Sequence, residues 1–522
     1  MNDPSPTTIR VAILGGGLAG ILLLKGLLKY PHIAAEIYES RPSFRDEGPA
    51  IELTDASLAA LRTLGPATTT AQDLDQSLSL ARAGALLTST EVLLSSGPHS
   101  GQVVMPAAGS GGGPLPPSYQ TVVGRQALLS ELAASLPPRA LHFNSRVTAM
   151  RESGTGGTDG PILLVLGDGS QKRYDVVIGA DRVLGAVARK HVLLLPPPLG
   201  TAGVSSSSST EEEEEEEEEE KPPRPTGFWG LHVTVSRERA QSFLGSEFLT
   251  MVVVGPGGNS DARASAQTRW VGDGTFMQHG LVNGGRDVQL VVYARLGAGD
   301  DANGSESPWV KLFTPDEFEE MFAGCRAEVC RGIVKLFQSV YTVHIAGFLE
   351  MRPSIEEEDD DRPSSPRDRN TTTTTTLLTP ATSTTPPFPS PSSASTATTL
   401  AIEEALILST LLGRAYSHSS SHSSQSSSTS TIPAALRAFE AICRPHALRA
   451  ARAGFEMSAL LAGCAPGVGI DAGRLAGALA AAAGGEGAAG GSCGGDGGGD
   501  EYNVQARIAA AVAVMEQLVG RG

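Results

Sequence analysis

Ten residues near the amino end, Val11-Ala12-Ile13-Leu14-Gly15-Gly16-Gly17-Leu18-Ala19-Gly20, constrain this chain more than any other segment. An apolar, β-branched run over residues 9–14 ends directly on glycines spaced G-x-G-x-x-G, and helix-like sequence over 18–28 follows at once. A second short strand is expected over 34–38, so the segment reads as a βαβ unit. Three glycines alone are a weak signal, but between a strand and a helix each has a task. Gly15 permits the tight turn, Gly17 lets the backbone approach a pyrophosphate, and Gly20 allows the helix to pack closely on the sheet. The first N–H groups of the helix have no carbonyl partner inside it and are left to meet phosphate oxygens. Glu39 stands nineteen residues past Gly20, at the end of the second strand, where a carboxylate accepts hydrogen bonds from ribose hydroxyls. The bland alternative is a glycine-rich turn with a surface glutamate. In this context the pattern predicts a Rossmann unit holding a dinucleotide, without choosing between NAD and FAD.

The net charge of −17 is local: the ten acids of residues 211–220 and the six of 356–361 account for all but one of those negatives. The remainder is nearly neutral and shows no cluster of Lys and Arg, so no nucleic-acid partner is expected. Cys325, Cys330, Cys443, Cys464 and Cys493 are odd in number and form no CxxC pair. That usage indicates neither a disulfide framework nor a metal site, and it suits a reducing, cytoplasmic setting. The apolar stretch 11–28 is interrupted by Lys25 and by glycines, unlike a signal peptide or a membrane span, and no membrane span is expected.

Four tracts, 196–225, 353–398, 417–430 and 480–499, are too polar or too glycine-rich to repay their ordering entropy and are expected to be low-complexity linkers. Between them, helical spacing marks 57–64 and 126–136. Residues 162–166, the turn Gly167-Asp168-Gly169 and residues 173–178 predict a hairpin with a buried second strand. Strands are expected at 249–254, 275–282 and 288–294, and helices at 400–412, 432–461 and 503–519. Strands first alternate with helices and then gather without them, which suggests an α/β cofactor domain followed by a sheet-rich substrate domain.

Further motifs resemble those of FAD-dependent monooxygenases of the salicylate-hydroxylase-like group, the class A aromatic hydroxylases. Tyr38-Glu39-Ser40-Arg41 followed by Gly48-Pro49-Ala50-Ile51-Glu52-Leu53 is similar to that family's passage from the ribose-binding acid to a turn beside the flavin, with Pro49 and Ala50 in place of its small residues and glycine. Val123-Gly124-Arg125-Gln126-Ala127-Leu128-Leu129 resembles the strand end, arginine and helix start that place Arg125 near the flavin diphosphate. Tyr174-Asp175-Val176-Val177-Ile178-Gly179-Ala180-Asp181 resembles the strand leading into the family's Asp-Gly motif, although Arg182 stands where that motif has glycine. Leu400-Ala401-Ile402-Glu403-Glu404-Ala405-Leu406 is similar to the family's Ala-Ile-Glu-Asp-Ala helix, but the Gly-Asp motif before it is missing and residues 377–386 lie in its place. Phe228-Trp229-Gly230-Leu231-His232, Gly274 to His279, 288–294 and Phe313 to Phe318 follow the family's substrate-domain order.

The resemblance implies an α/β fold: a Rossmann-type FAD-binding domain with a sheet-rich substrate domain and C-terminal helices. Residues 7–75 and 119–192, completed by 399–414, are expected to form the first; 76–118 and 226–348 form the second; 432–522 are the C-terminal helical region. It implies bound FAD, with NAD(P)H as a transient reductant, and O2-dependent hydroxylation of a small aromatic or polyketide-like compound. The cofactor-binding candidates are Gly15, Gly17, Gly20, Glu39, Ala50, Arg125 and Asp181. No protein nucleophile or triad appears, which suits chemistry carried by a cofactor. His232 and His279 are candidate pocket bases, though a structural role is the commoner one. His418 and His422 have metal-ligand spacing inside a serine run that is not expected to be helical. Two alternatives remain: another flavin oxidoreductase, such as a reductase or a halogenase-like enzyme, and a non-catalytic decayed relative with an incomplete flavin site.

Overall fold

The computed structural model describes residues 8–44, 48–64, 80, 82–107, 119–152, 161–180, 224–246, 249, 251–253, 263–296, 310–341, 345–352, 375–377, 393–419, 428–488 and 504–520. The first strand, Ile9–Leu14, lies at the centre of a five-stranded parallel sheet. Its neighbours are Ile33–Tyr38 and then Leu141–His142 on one side, and Val176–Gly179 and then Thr375–Leu377 on the other. A parallel sheet is buried on both faces, and period-two alternation divides the first strand between two cores. Val11 and Ile13 pack with Ile21, Leu22 and Leu24 of the helix Leu18–Leu27. Ala12 and Leu14 pack with Met150, Ile162 and Leu164 of a three-stranded antiparallel sheet on the opposite face. The helix Leu18–Leu27 is apolar almost all round because the long helix Ser393–Ser419 covers its outer side.

A second, eleven-stranded sheet fills the middle of the chain. From one edge its order is Val310–Phe313, Ile345–Arg352, Arg224–Ser236, Asp287–Arg295, Thr275–Val282, Arg263–Val271, Leu86–Leu94, Tyr119–Val123 and Ile51–Leu53, with Met251–Val253 and Val103–Met105 paired alongside. The last two strands of that order come from segments grouped with the cofactor domain on sequence grounds, so the two sheets share chain. One face of the large sheet is covered by Glu328–Val340, whose Val329, Cys330, Ile333, Leu336 and Phe337 recur at helical spacing and are all buried. Trp229, fully buried, centres this core, with its ring 4.4 Å from Phe313 and 6.1 Å from Phe318.

Several sequence expectations need adjustment. The run 173–178 is not one hairpin strand: Gln171–Tyr174 pairs with Ile162–Leu166, and Val176–Gly179 joins the parallel sheet. The break falls at Asp175, whose carboxylate accepts from the Arg10 backbone N–H at 2.8 Å and from its guanidinium at 3.1 Å, turning the chain toward the first strand. The tract 353–398 contains the strand Thr375–Leu377 and the start of Ser393–Ser419, while Ser428–Leu461 and Ala472–Ala488 extend into two others. The C-terminal helices are tied together by charge as well as by apolar packing. Glu403, buried in Ser393–Ser419, is ion-paired with Arg507 of Val504–Gly520 and lies 3.5 Å from His446 of Ser428–Leu461.

Candidate active site

The glycine turn folds as its spacing predicts. Gly15 adopts φ +111° and donates its N–H to the Tyr38 carbonyl at 2.9 Å, which bends the chain from strand into helix. A Cβ on Gly20 would stand 2.1 Å from the Gly15 carbonyl oxygen, so only glycine allows the helix to sit this close to the turn. Gly17 differs, because a Cβ there would meet nothing nearer than an Arg125 guanidinium nitrogen at 3.9 Å and the Ala180 carbonyl oxygen at 4.0 Å. Its backbone opens the helix Leu18–Leu27 with no side-chain cap, leaving the first turn's N–H groups directed outward.

Glu39 reaches back into this turn. Its Oε2 accepts from the Gly16 N–H at 2.8 Å, and its Oε1 accepts from the Arg41 N–H at 3.0 Å and the Ser40 hydroxyl at 3.3 Å. The carboxylate is thereby held beside the turn at the end of the second strand. Arg125 opens the helix Arg125–Ala134, directly after the strand Tyr119–Val123 and Gly124. The structure therefore brings Gly15, Gly17, Gly20, Glu39 and Arg125 around one spot that combines unpaired helix N–H groups, a guanidinium and a carboxylate. These groups fit a dinucleotide: donors and positive charge for a diphosphate, and an acceptor for a ribose. Asp181 and Arg182 lie outside the described residues, although Ala180, which precedes them, reaches the same spot.

Ala50 belongs to a second, adjoining place. The Ala50 N–H donates to Gln289 Oε1 at 2.6 Å, and the Gly48 N–H donates to His232 Nε2 at 3.0 Å, so the turn 48–50 is fastened to the large sheet. The strand that follows, Ile51–Leu53, pairs antiparallel with Tyr119–Val123, placing Ile51 opposite Val123, two residues before Arg125. Behind the turn lies a narrow cavity of about 20 Å³, lined by Pro49, Ala50, Glu52, Gln267, Gln278 and Gln289 among others. Of these six, sequence analysis named Pro49 and Ala50 in the turn and made only Ala50 a cofactor-binding candidate. The signal for Glu52, Gln267, Gln278 and Gln289 was a glutamine or glutamate inside a strand, as in Thr275–Val282 and Asp287–Arg295.

Neither candidate base lines this cavity. His232 accepts from Gly48 through Nε2, so that nitrogen is unprotonated. His279 is fully buried, and desolvation lowers its pKa to about 4. Between about pH 6.5 and 4 the unfolded chain takes up a proton that the native imidazole refuses, so stability falls as pH falls through that window, by on the order of 3 kcal/mol. His279→Gln should flatten the acid limb of stability, read as urea midpoints from neutral pH to pH 4.5; an unchanged slope would assign the acid sensitivity elsewhere.

Known proteins resemble part of this chain in sequence, and solved structures share its fold. It is 29% identical over 193 residues to 6-methylsalicylate 1-monooxygenase of Aspergillus terreus, covering 37% of this chain and 41% of that relative. It is 26% identical over 192 residues to a salicylate hydroxylase of Pseudomonas putida, covering 35% of this chain and 38% of the relative. The matches thus span about two fifths of those relatives' lengths. Among solved structures, a salicylate hydroxylase substrate complex aligns with a TM-score of 0.61 at 17% identity, over 97% of this chain and 98% of that one. The protein CtdE, solved with FAD and a substrate, aligns with a TM-score of 0.63 at 16% identity, over 98% and 100%. No protein-family model matches the chain. In sequence the chain is similar to salicylate-hydroxylase-like FAD-dependent monooxygenases, and its α/β architecture with C-terminal helices is theirs.

Proposed function

We propose that this chain is an FAD-dependent monooxygenase that uses NAD(P)H and O2 to hydroxylate a small aromatic or polyketide-like compound. The observation that carries this proposal is the convergence of the Gly17 backbone, the Arg125 guanidinium and the Glu39 carboxylate on one spot, one strand pair away from a polar cavity. The sequence similarity to monooxygenases named for salicylate and 6-methylsalicylate supports the reaction class.

In this proposal Gly15, Gly17 and Gly20 shape the turn that receives the diphosphate, Arg125 neutralises its charge, and Glu39 accepts from the ribose hydroxyls. Asp181, beside Ala180, is proposed to contact the same cofactor. Ala50 forms the wall between the cofactor and the cavity, its N–H held by Gln289. Bound FAD, reduced by NAD(P)H, would supply the activated oxygen that these residues cannot. The chain's own part is to orient cofactor and ring and to exclude water from a site walled by buried strands. The enzyme is proposed to act in the cytoplasm on a freely diffusing small molecule. Among the described residues no helix is long and apolar enough to cross a membrane.

One observation favours a different outcome. The strand Thr375–Leu377 occupies the edge of the Rossmann sheet, but no Gly-Asp motif follows it, as a non-catalytic relative would show. Two experiments separate the two. Arg125→Ala should raise the Kd for FAD by about 10- to 100-fold, the scale of a lost charge-assisted phosphate contact, while the absorbance of the saturated protein stays unchanged. Oxidation of NAD(P)H under labelled O2 with a panel of phenols and hydroxypyridones should place one labelled atom in the product. Uncoupled oxidation with no labelled product would point to a reductase, and no oxidation at all to the non-catalytic relative.

A further inference from the structure

The turn 48–50 carries only two backbone N–H groups, because Pro49 has none. Both are given to the large sheet: the Ala50 N–H to Gln289 Oε1 at 2.6 Å and the Gly48 N–H to His232 Nε2 at 3.0 Å. Gly48 and Ala50 are buried, and a buried N–H left without an acceptor costs free energy. Gly48 has φ +134°, a conformation open to glycine and rarely to other residues, so the shape of this turn depends on its fastening more than on side-chain sterics. The two acceptors differ in one respect. The amide oxygen of Gln289 accepts at every pH. An imidazole accepts through Nε2 only while it is neutral, with its proton on Nδ1; once protonated it has two donors and no acceptor.

His232 is half-buried on Arg224–Ser236, opposite Val291 of Asp287–Arg295. The ionisable residues of that neighbouring strand are Asp287, Tyr293 and Arg295. Tyr293 stands opposite Gly230, and the other two stand opposite Ser236 and Phe228, four residues from His232 on either side. On the other flank, Ile345–Arg352 has Glu350 and Arg352, both beyond the register pair Trp229–Leu349 and so farther from His232. Past the turn, Glu52 is ion-paired with Arg269 at 3.3 Å. Asp46 and Glu47, which precede Gly48 in the chain, lie outside the described residues. We infer, resting on the monooxygenase proposal, that His232 is a positioning residue for the flavin: its neutral imidazole latches the turn 48–50 to the large sheet, and protonation releases Gly48 and weakens FAD binding. His232 thus acts on the cofactor through the turn and not as a base toward the substrate. FAD favours the latched, neutral form, so its affinity is full above the titration of this imidazole and falls as pH falls through it.

Two measurements on the full chain test this between about pH 8 and about pH 5.5, the range in which histidine changes charge. The first needs no flavin. Hydrogen exchange of the Gly48 amide, read on a peptide spanning the turn and corrected for the intrinsic pH dependence of exchange, should show protection that the wild type loses on acidification. His232→Gln, whose amide oxygen can stand in for Nε2 and does not titrate, should keep that protection throughout, and His232→Leu should lack it throughout. The second measurement is the Kd for FAD. In the wild type it should rise by about 10-fold on acidification, the scale of a buried donor losing its acceptor, while His232→Gln stays within ~3-fold of the neutral wild-type value and His232→Leu binds weakly at both ends. The wild-type exchange profile requires neither variant, so it decides the question if they fail to fold. The inference is overturned if the Gly48 amide is equally protected at both ends, if His232→Gln titrates as the wild type does, or if His232→Leu binds FAD as tightly as the wild type near pH 8. Protection that follows His232 with no FAD uptake at any pH would sink the monooxygenase proposal and leave the latch standing; FAD uptake with a pH profile that His232→Gln does not change would do the reverse.

Discussion

Gly17→Val is expected to yield a folded chain that no longer retains FAD. A Cβ at Gly17 meets only ordinary contacts, 3.9 Å from Arg125 and 4.0 Å from Ala180, and its φ of −71° suits an L-residue. The free protein has room for valine, but the branched side chain would fill the place between the helix N-terminus and the Arg125 guanidinium that a diphosphate must enter. The Kd for FAD should rise by at least ~100-fold, about 3 kcal/mol, the scale of several charge-assisted hydrogen bonds lost together. The melting temperature measured without FAD should move by no more than ~2 °C, as for a substitution that neither clashes nor opens a cavity. Gly20→Ala should behave in the opposite way. Its Cβ would stand 2.1 Å from the Gly15 carbonyl oxygen, so the turn itself must open, and stability should fall together with cofactor binding. Calorimetric titration and thermal unfolding of both variants check the pair; equal FAD affinity of Gly17→Val and wild type would remove the diphosphate from this turn.

Trp229→Ala should cost the most stability of any single truncation in the large sheet, about 3–5 kcal/mol. Trp229 is fully buried and holds Phe313, Phe318 and Phe322 around one indole, so the cavity left behind is bounded by rings on a sheet and its covering helices, which cannot close over it. The loss should appear as a lowered urea midpoint. FAD affinity under native conditions should change far less, because the glycine turn stands on the other sheet. A midpoint within experimental error of wild type would show that this core does not carry the sheet.

The parts of the fold that were legible in sequence are those written in contiguous residues. The glycine turn, Glu39 and the start of helix Arg125–Ala134 each depend on spacing within a few positions and each forms where that spacing puts it, whereas the approach of Arg125 to the turn was implied only by the family resemblance. The edge strand Thr375–Leu377 was hidden because a threonine run shows neither hydrophobic alternation nor a turn signal; the β preference of threonine was the one available clue. The split at Asp175 depends on Arg10, 165 residues away in sequence, and local periodicity holds no information about such a partner. The cavity was hidden for the same reason. Glu52, Gln267, Gln278 and Gln289 come from strands made neighbours only by sheet order, and each alone looks like an ordinary polar residue in a strand.

The most direct test of a flavin held by Gly15, Gly17, Gly20, Glu39 and Arg125 is the visible absorbance spectrum of the purified full chain, followed through titration with FAD. The expected result is a flavin spectrum that saturates at about one FAD per chain, as the single glycine turn requires. A protein that stays colourless and takes up no FAD at any ratio would contradict it, and would leave a Rossmann turn whose flavin site was lost with the Gly-Asp motif.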